Sequence, residues 1–117
     1  MLLRDWILWD ARIMSELPPE AFGHWRHSHE EDTTGLKVYR LVDHPFPRAR
    51  WRHGLELRAD GTYVDHRLGP DDRSRRVTGR WTAEGAGRIH LHPDDAAMAP
   101  QVLEIASVEH GLLKIRK

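Results

Sequence analysis

The stretch His24-Trp25-Arg26-His27-Ser28-His29-Glu30-Glu31-Asp32 packs three imidazoles and three carboxylates into nine residues. On an extended chain, alternate side chains share a face. Trp25, His27, His29 and Glu31 would therefore lie on one side and His24, Arg26, Ser28 and Glu30 on the other. Two histidines at i and i+2 can both reach one ion, and neutral imidazole suits zinc, copper, iron or nickel. A third ligand must come from another strand. His53 shares its face with Trp51, Leu55 and Leu57, and His66 or Glu31 could supply one instead. The candidate metal set is His27, His29 and His53. The same residues could instead hydrogen-bond a ligand, transfer a proton, or stand as polar groups with no ligand at all.

Tyr63-Val64-Asp65-His66-Arg67 is a second informative run. Tyr63, Asp65 and Arg67 fall on one face, Val64, His66 and Leu68 on the other. If the polar face lines a cavity, Arg67 with Asp65 would hold an anionic group such as a carboxylate through charge-assisted hydrogen bonds. The other reading is a solvated outer face opposite an apolar interior of Val64 and Leu68. The pair His90 and His92 alternates with Ile89 and Leu91, better core candidates, so these imidazoles are expected to face outward. The serines Ser15, Ser28, Ser74 and Ser107 lack a Gly-x-Ser-x-Gly context, and no glycine-rich phosphate loop is present.

These side chains need elements to position them. From Gly23 onward apolar and polar residues alternate in short runs, a strand signal. The expected strands are His24–Glu31, Leu36–Val42, Arg50–Arg58, Thr62–Leu68, Arg75–Ala83, Arg88–His92, Val102–Glu109 and Leu112–Arg116. Asp60-Gly61 and His110-Gly111 read as tight reversals, and Gly69-Pro70-Asp71-Asp72 and Glu84-Gly85-Ala86-Gly87 as turns. The longer connections Asp43–Ala49 and Pro93–Pro100 read as irregular rims. Before the strands, Leu2, Trp6, Trp9 and Ile13 recur at helical spacing over Met1–Leu17, and Leu17-Pro18-Pro19 ends the pattern. Residues 1–21 are thus expected to form a short N-terminal helix and a proline linker, and residues 22–117 a β domain. Eight short antiparallel strands favour closure, because a barrel has no exposed edges. The expected fold is an eight-stranded antiparallel up-and-down barrel with a short N-terminal helix.

Composition narrows the function classes. At 117 residues the chain makes one domain with one modest core. Eighteen Lys and Arg cancel 18 Asp and Glu, so no global field favours nucleic acid. Residues 37–80 are nevertheless basic and residues 1–36 acidic, which could reflect pairing of Glu30, Glu31 and Asp32 with arginines on neighbouring strands, steering of an anionic ligand, or self-association. The absence of cysteine removes disulfides, thiolate zinc sites and cysteine nucleophiles. No apolar run is long enough for a transmembrane segment. Asp5 and Asp10 interrupt the first stretch, so no secretory signal is read there and the expected compartment is the cytoplasm. Trp6, Ile7 and Trp9 could mediate homo-oligomerisation.

Phe22-Gly23-His24-Trp25 resembles the Gly-x-Trp that opens the first strand of lipocalin-like bacterial proteins. Leu55-Glu56-Leu57-Arg58-Ala59-Asp60-Gly61-Thr62-Tyr63 resembles their Asp-Gly-Thr-Tyr hairpin, and Gly79-Arg80-Trp81 resembles a second Gly-x-Trp. Ile89-His90-Leu91, Leu103-Glu104-Ile105 and Leu112–Ile115 fall where that pattern puts its last strands, so the resemblance spans roughly residues 22–116. It implies a calycin-type barrel with one end open to a small apolar ligand. The polar run from His27 to Thr33 departs from a plain apolar carrier. The function expected is binding of a small, partly apolar and anionic molecule by Trp25, His27, His29, Tyr39, Trp51, His53, Tyr63 and Arg67. The alternatives are a metal-dependent or acid–base enzyme built on the histidines, or an oligomeric interaction protein.

Overall fold

The period-two stretches do form strands, and their inward residues are those whose burial stabilises the fold. A computed structural model describes residues 17–85 and 87–117. Among the described residues there are eight strands: β1 (Gly23–His27), β2 (Leu36–Leu41), β3 (Gly54–Leu57), β4 (Thr62–Leu68), β5 (Ser74–Glu84), β6 (Arg88–Pro93), β7 (Gln101–Glu109) and β8 (Leu112–Arg116). All neighbours pair antiparallel, and the sheet closes into a barrel. The turn chemistry matches the sequence. Gly61 takes a positive φ of 91° in the β3–β4 hairpin, and His110 and Gly111 take 51° and 73° between β7 and β8.

The strand order corrects the expected up-and-down connectivity. Around the barrel the strands run β1-β2-β8-β7-β6-β5-β4-β3 and return to β1. From β3 to β8 the chain is a meander, but β1 and β2 form a hairpin seated between β3 and β8. The connection from β2 to β3 therefore cannot be a tight turn. It climbs back from the level of Leu41 to that of His27 along the outside of β1, where Phe46, Pro47 and Trp51 face the outward residues His24 and Arg26. Arg52 pins it. Its guanidinium donates to the His27 carbonyl at 3.0 Å, to the Pro47 carbonyl at 2.7 Å and to both Glu30 oxygens at 2.9 and 2.6 Å, and it lies over the Phe46 ring.

The expected N-terminal helix needs correcting as well. Among the described residues there is no α-helix, only two 3-10 turns, Pro19–Ala21 and His29–Glu31. Residues 1–16, which carry most of that expectation along with Trp6, Ile7 and Trp9, lie outside the described residues. Leu17 and Ala21 are buried with Leu55, Leu57, Tyr63, Trp81, Ile89 and Leu91, so the segment they bracket plugs one end of the barrel. Trp25 Nε1 donates to the Ala21 carbonyl at 2.9 Å, and Trp81 Nε1 to the Arg58 carbonyl at 2.8 Å, so both buried indoles are satisfied. Gly79 serves the same packing, since a Cβ there would meet the Tyr63 ring at 2.8 Å. Trp25, Tyr39, Leu113 and Ile115 form the layer above, toward the opposite end. Among the described residues no helix is long and apolar enough to cross a membrane.

Two predicted strands run shorter. β1 stops at His27 because Ser28 and the His29–Glu31 turn are tied back by side chains: Ser28 Oγ donates to Glu31 at 2.8 Å, and the Asp32 carboxylate accepts the Val38 N–H at 2.8 Å. β3 begins only at Gly54, so Arg50–His53 belongs to the crossing loop.

Candidate functional site

The end of the barrel away from the Leu17–Ala21 plug is open. There the end of β1, the middle of β2, the last residue of the crossing loop and the end of β4 bring His27, Tyr39, His53 and Arg67 to one cavity of about 590 Å³. The polar face of β4 therefore points inward and His66 outward, which settles the alternative left open by the sequence. Leu55, Leu91, Leu103 and Ile115 form the apolar part of the lining, while Lys37, Gln101 and Arg116 stand at the rim.

A chain of hydrogen bonds crosses the site. Asp65, only 3% exposed, accepts from His53 Nε2 at 2.6 Å through Oδ1 and from Arg67 at 2.6 Å through Oδ2. A carboxylate can only accept, so the proton of a neutral His53 sits on Nε2. His53 Nδ1 is then the acceptor for the Tyr39 hydroxyl at 2.7 Å. Burial alone would push the Asp65 carboxyl up, but the bonds from His53 and Arg67 outweigh it and hold the group below its ordinary value. Tyr39 is buried and pushed well above the usual phenol range, first by desolvation and then by the charges of Asp65 and Asp32. It is therefore a hydrogen-bond donor at neutral pH and no source of phenolate.

His27 forms the other wall. Its ring stacks on Tyr39 with centroids 5.0 Å apart, and its Nε2 faces both oxygens of Asp32 at 3.0 Å. Burial lowers the His27 pKa more than the Asp32 hydrogen bond and charge raise it, and Lys37 and His29 add to the lowering. For Asp32, burial works upward, but the Val38 N–H and His27 prevail and keep the carboxyl low.

The remaining expected site residues lie elsewhere. Trp25 and Tyr63 are inside the barrel as floor and core, fully covered by neighbours. His29 is on the exposed 3-10 turn, with Nε2 3.6 Å from Glu30. Trp51 lines a groove on the outer wall. His27, His29 and His53 do not gather around a common point, because each imidazole faces a different carboxylate: Asp32, Glu30 and Asp65. Among the described residues, the group of three metal-ligating side chains with ligand atoms within 4.8 Å of one another is His24, Glu56 and His66. His90 and His92 face outward as expected, toward Glu84 and Thr82.

Sequence reasoning missed Asp32, Lys37 and Gln101. Lys37 was detectable, since it alternates with Tyr39. Asp32 was not, because a reversal of the chain carries it back to His27. No family model matches the chain, and neither the curated proteins nor the solved structures contain a significant match.

Proposed function

We propose that the open end of the barrel binds a small amphipathic anion, its apolar part against Leu55, Leu91, Leu103 and Ile115 and its charged end at the rim beside Lys37, Arg67 and Arg116. The single observation that carries this reading is the cavity itself: about 590 Å³, within the range of small-molecule sites, apolar below and cationic above. The ring of polar groups is held in place before any ligand arrives, because Asp65 fixes both His53 and Arg67. Preorganised donors reduce the ordering cost of binding. The closed barrel, its antiparallel strands and its plugged end support the likeness to lipocalin-like proteins, while the seating of β1 and β2 departs from simple consecutive order.

The test is titration with an amphipathic anion, 8-anilinonaphthalene-1-sulfonate, followed by displacement with medium-chain carboxylates. The expected result is one saturable site, weakened about tenfold or more by Leu103→Trp, which fills the cavity, and by Arg67→Gln. Undiminished binding by a folded Leu103→Trp variant would overturn the reading.

The Tyr39–His53–Asp65 chain favours a second reading, acid–base chemistry in the same cavity. An imidazole held between a phenol and a carboxylate can take a proton at Nδ1 while Asp65 stabilises the imidazolium through Nε2. The two readings separate on the molecule that copurifies, followed by native mass spectrometry. Binding alone leaves its mass unchanged on incubation, whereas catalysis changes it in a way that His53→Gln abolishes.

A further inference from the structure

A separate cluster sits on the outer wall, on the opposite side of the sheet from the cavity. His24 on β1 is the cross-strand partner of Glu56 on β3, and His66 on β4 is the diagonal neighbour of Glu56, opposite Gly54. Gly54 leaves room between them. A Cβ there would lie 3.3 Å from the His66 Cβ, a tight contact, and 3.5 Å from His24 Nε2, an ordinary one, so the bare backbone eases the approach of the two rings across β3. The rings stack with centroids 5.1 Å apart. Glu56 Oε2 is 2.7 Å from His66 Nε2 and 4.0 Å from His24 Nδ1, while Arg58 holds Oε1 at 2.9 Å and turns the other oxygen toward the imidazoles.

We propose that His24, Glu56 and His66 bind one divalent transition-metal ion of the zinc type, with an open coordination position. The donor set of two imidazoles and one carboxylate is the kind that holds zinc while leaving a fourth site for water or substrate. Tetrahedral bonds of about 2.0–2.1 Å place ligand atoms roughly 3.3 Å apart. The present separations lie on both sides of that value, and rotation of these half-buried side chains closes one gap and opens the other. The register brings the three side chains together from three adjacent strands, whose pairing is fixed by the barrel. Both imidazoles also line a groove of about 490 Å³ beneath the crossing loop, walled by Arg26, Phe46, Trp51 and Arg52. A metal there would offer its open position to a space large enough for a small molecule, and Arg26 on its wall favours an anionic one.

The experiment uses the full chain, stripped with chelator and titrated with Zn²⁺ by calorimetry, and with Co²⁺ for its ligand-field spectrum. Wild type is compared with His24→Ala, Glu56→Gln and His66→Ala, each checked for folding by circular dichroism. His90→Ala and His92→Ala serve as controls for surface histidine binding. The expected result is one ion per chain and a tetrahedral Co²⁺ spectrum. Each of the three substitutions should weaken binding by more than about 100-fold, beyond the effect of losing a supporting residue, while the controls stay unchanged. No stoichiometric binding by folded wild type overturns the proposal, as does binding that all three substitutions leave intact.

Discussion

His53 is held at both ring nitrogens, whereas His27 is held by a single carboxylate and stacked on a phenol ring. This difference gives His27 the clearer thermodynamic signature. Its pKa is depressed in the folded protein, chiefly by burial, against the pull of Asp32 and with Lys37 and His29 nearby. A group with a depressed folded pKa contributes stability that is present above its unfolded value of 6.5 and is lost as pH falls through the folded value. Urea unfolding midpoints should therefore fall from pH 7 toward pH 5 more steeply in wild type than in His27→Gln. Parallel pH profiles for the two proteins would show that His27 is not desolvated as described. At this scale the sequence was a fair guide to facing and a poor one to partners. Alternation put Asp65 and Arg67 on one face, and they meet at 2.6 Å. It could not by itself show that Asp65 also takes His53, because that bond runs diagonally across the β3–β4 hairpin and depends on the pairing register as well as on facing.

At the scale of elements, the crossing loop is the part the sequence did not show. The alternation of Arg50, Trp51, Arg52 and His53 reads as the start of a strand, yet these residues must return the chain along the barrel before β3 can pair. Arg52 then serves as an anchor, its side chain only 6% exposed although Arg is among the most solvent-seeking residues. Arg52→Ala should free the loop while leaving the barrel closed. Hydrogen exchange would then show the amides of residues 43–53 exchanging faster by roughly tenfold or more, with β5 and β6 unchanged. Uniform acceleration across the barrel would mean that the loop and the sheet open as one unit. The other strands were legible to within a residue or two, since their limits are written in turn chemistry: Asp60-Gly61, His110-Gly111 and the Gly69–Asp72 turn. β1 overran because its alternation continues through His29, where side-chain bonds from Ser28 and Asp32 turn the backbone aside.

For the whole molecule, the acidic beginning and the basic middle of the chain meet in space. Glu31 pairs with Arg40 at 2.7 Å and Glu30 with Arg52 at 2.6 Å, one of the three readings the charge pattern left open, while Asp32 faces His27 rather than an arginine. Both carboxyls are held down to about 2, for Glu31 by Arg40 and then Ser28, and for Glu30 chiefly by Arg52. Folded-state values below the ordinary 4.5 mean that this stabilisation is present above pH 4.5 and is lost as pH falls toward 2. Circular dichroism on acid titration should show stability declining across that window, and Glu31→Gln should lower stability at pH 7 and flatten the decline. A variant with the wild-type acid profile would remove these pairs from the account. The closed barrel was legible from strand count and the disadvantage of open edges. The strand order was not, because alternation shows which residues face inward but not which strand lies beside which.

The placement of β1 and β2 between β3 and β8 divides the barrel into two pieces, a hairpin and a six-strand meander, joined covalently through the crossing loop alone and otherwise by the β1–β3 and β2–β8 pairings. The hairpin supplies His27 and Tyr39 to the cavity, and the meander supplies Asp65, Arg67 and the apolar lining of Leu55, Leu91, Leu103 and Ile115. Cut within that loop, the chain becomes a pair of complementing fragments, with two sheet edges on each waiting for the other. Any molecule lodged in the cavity would touch both fragments and act as glue between them, so that occupancy and reassembly become one equilibrium.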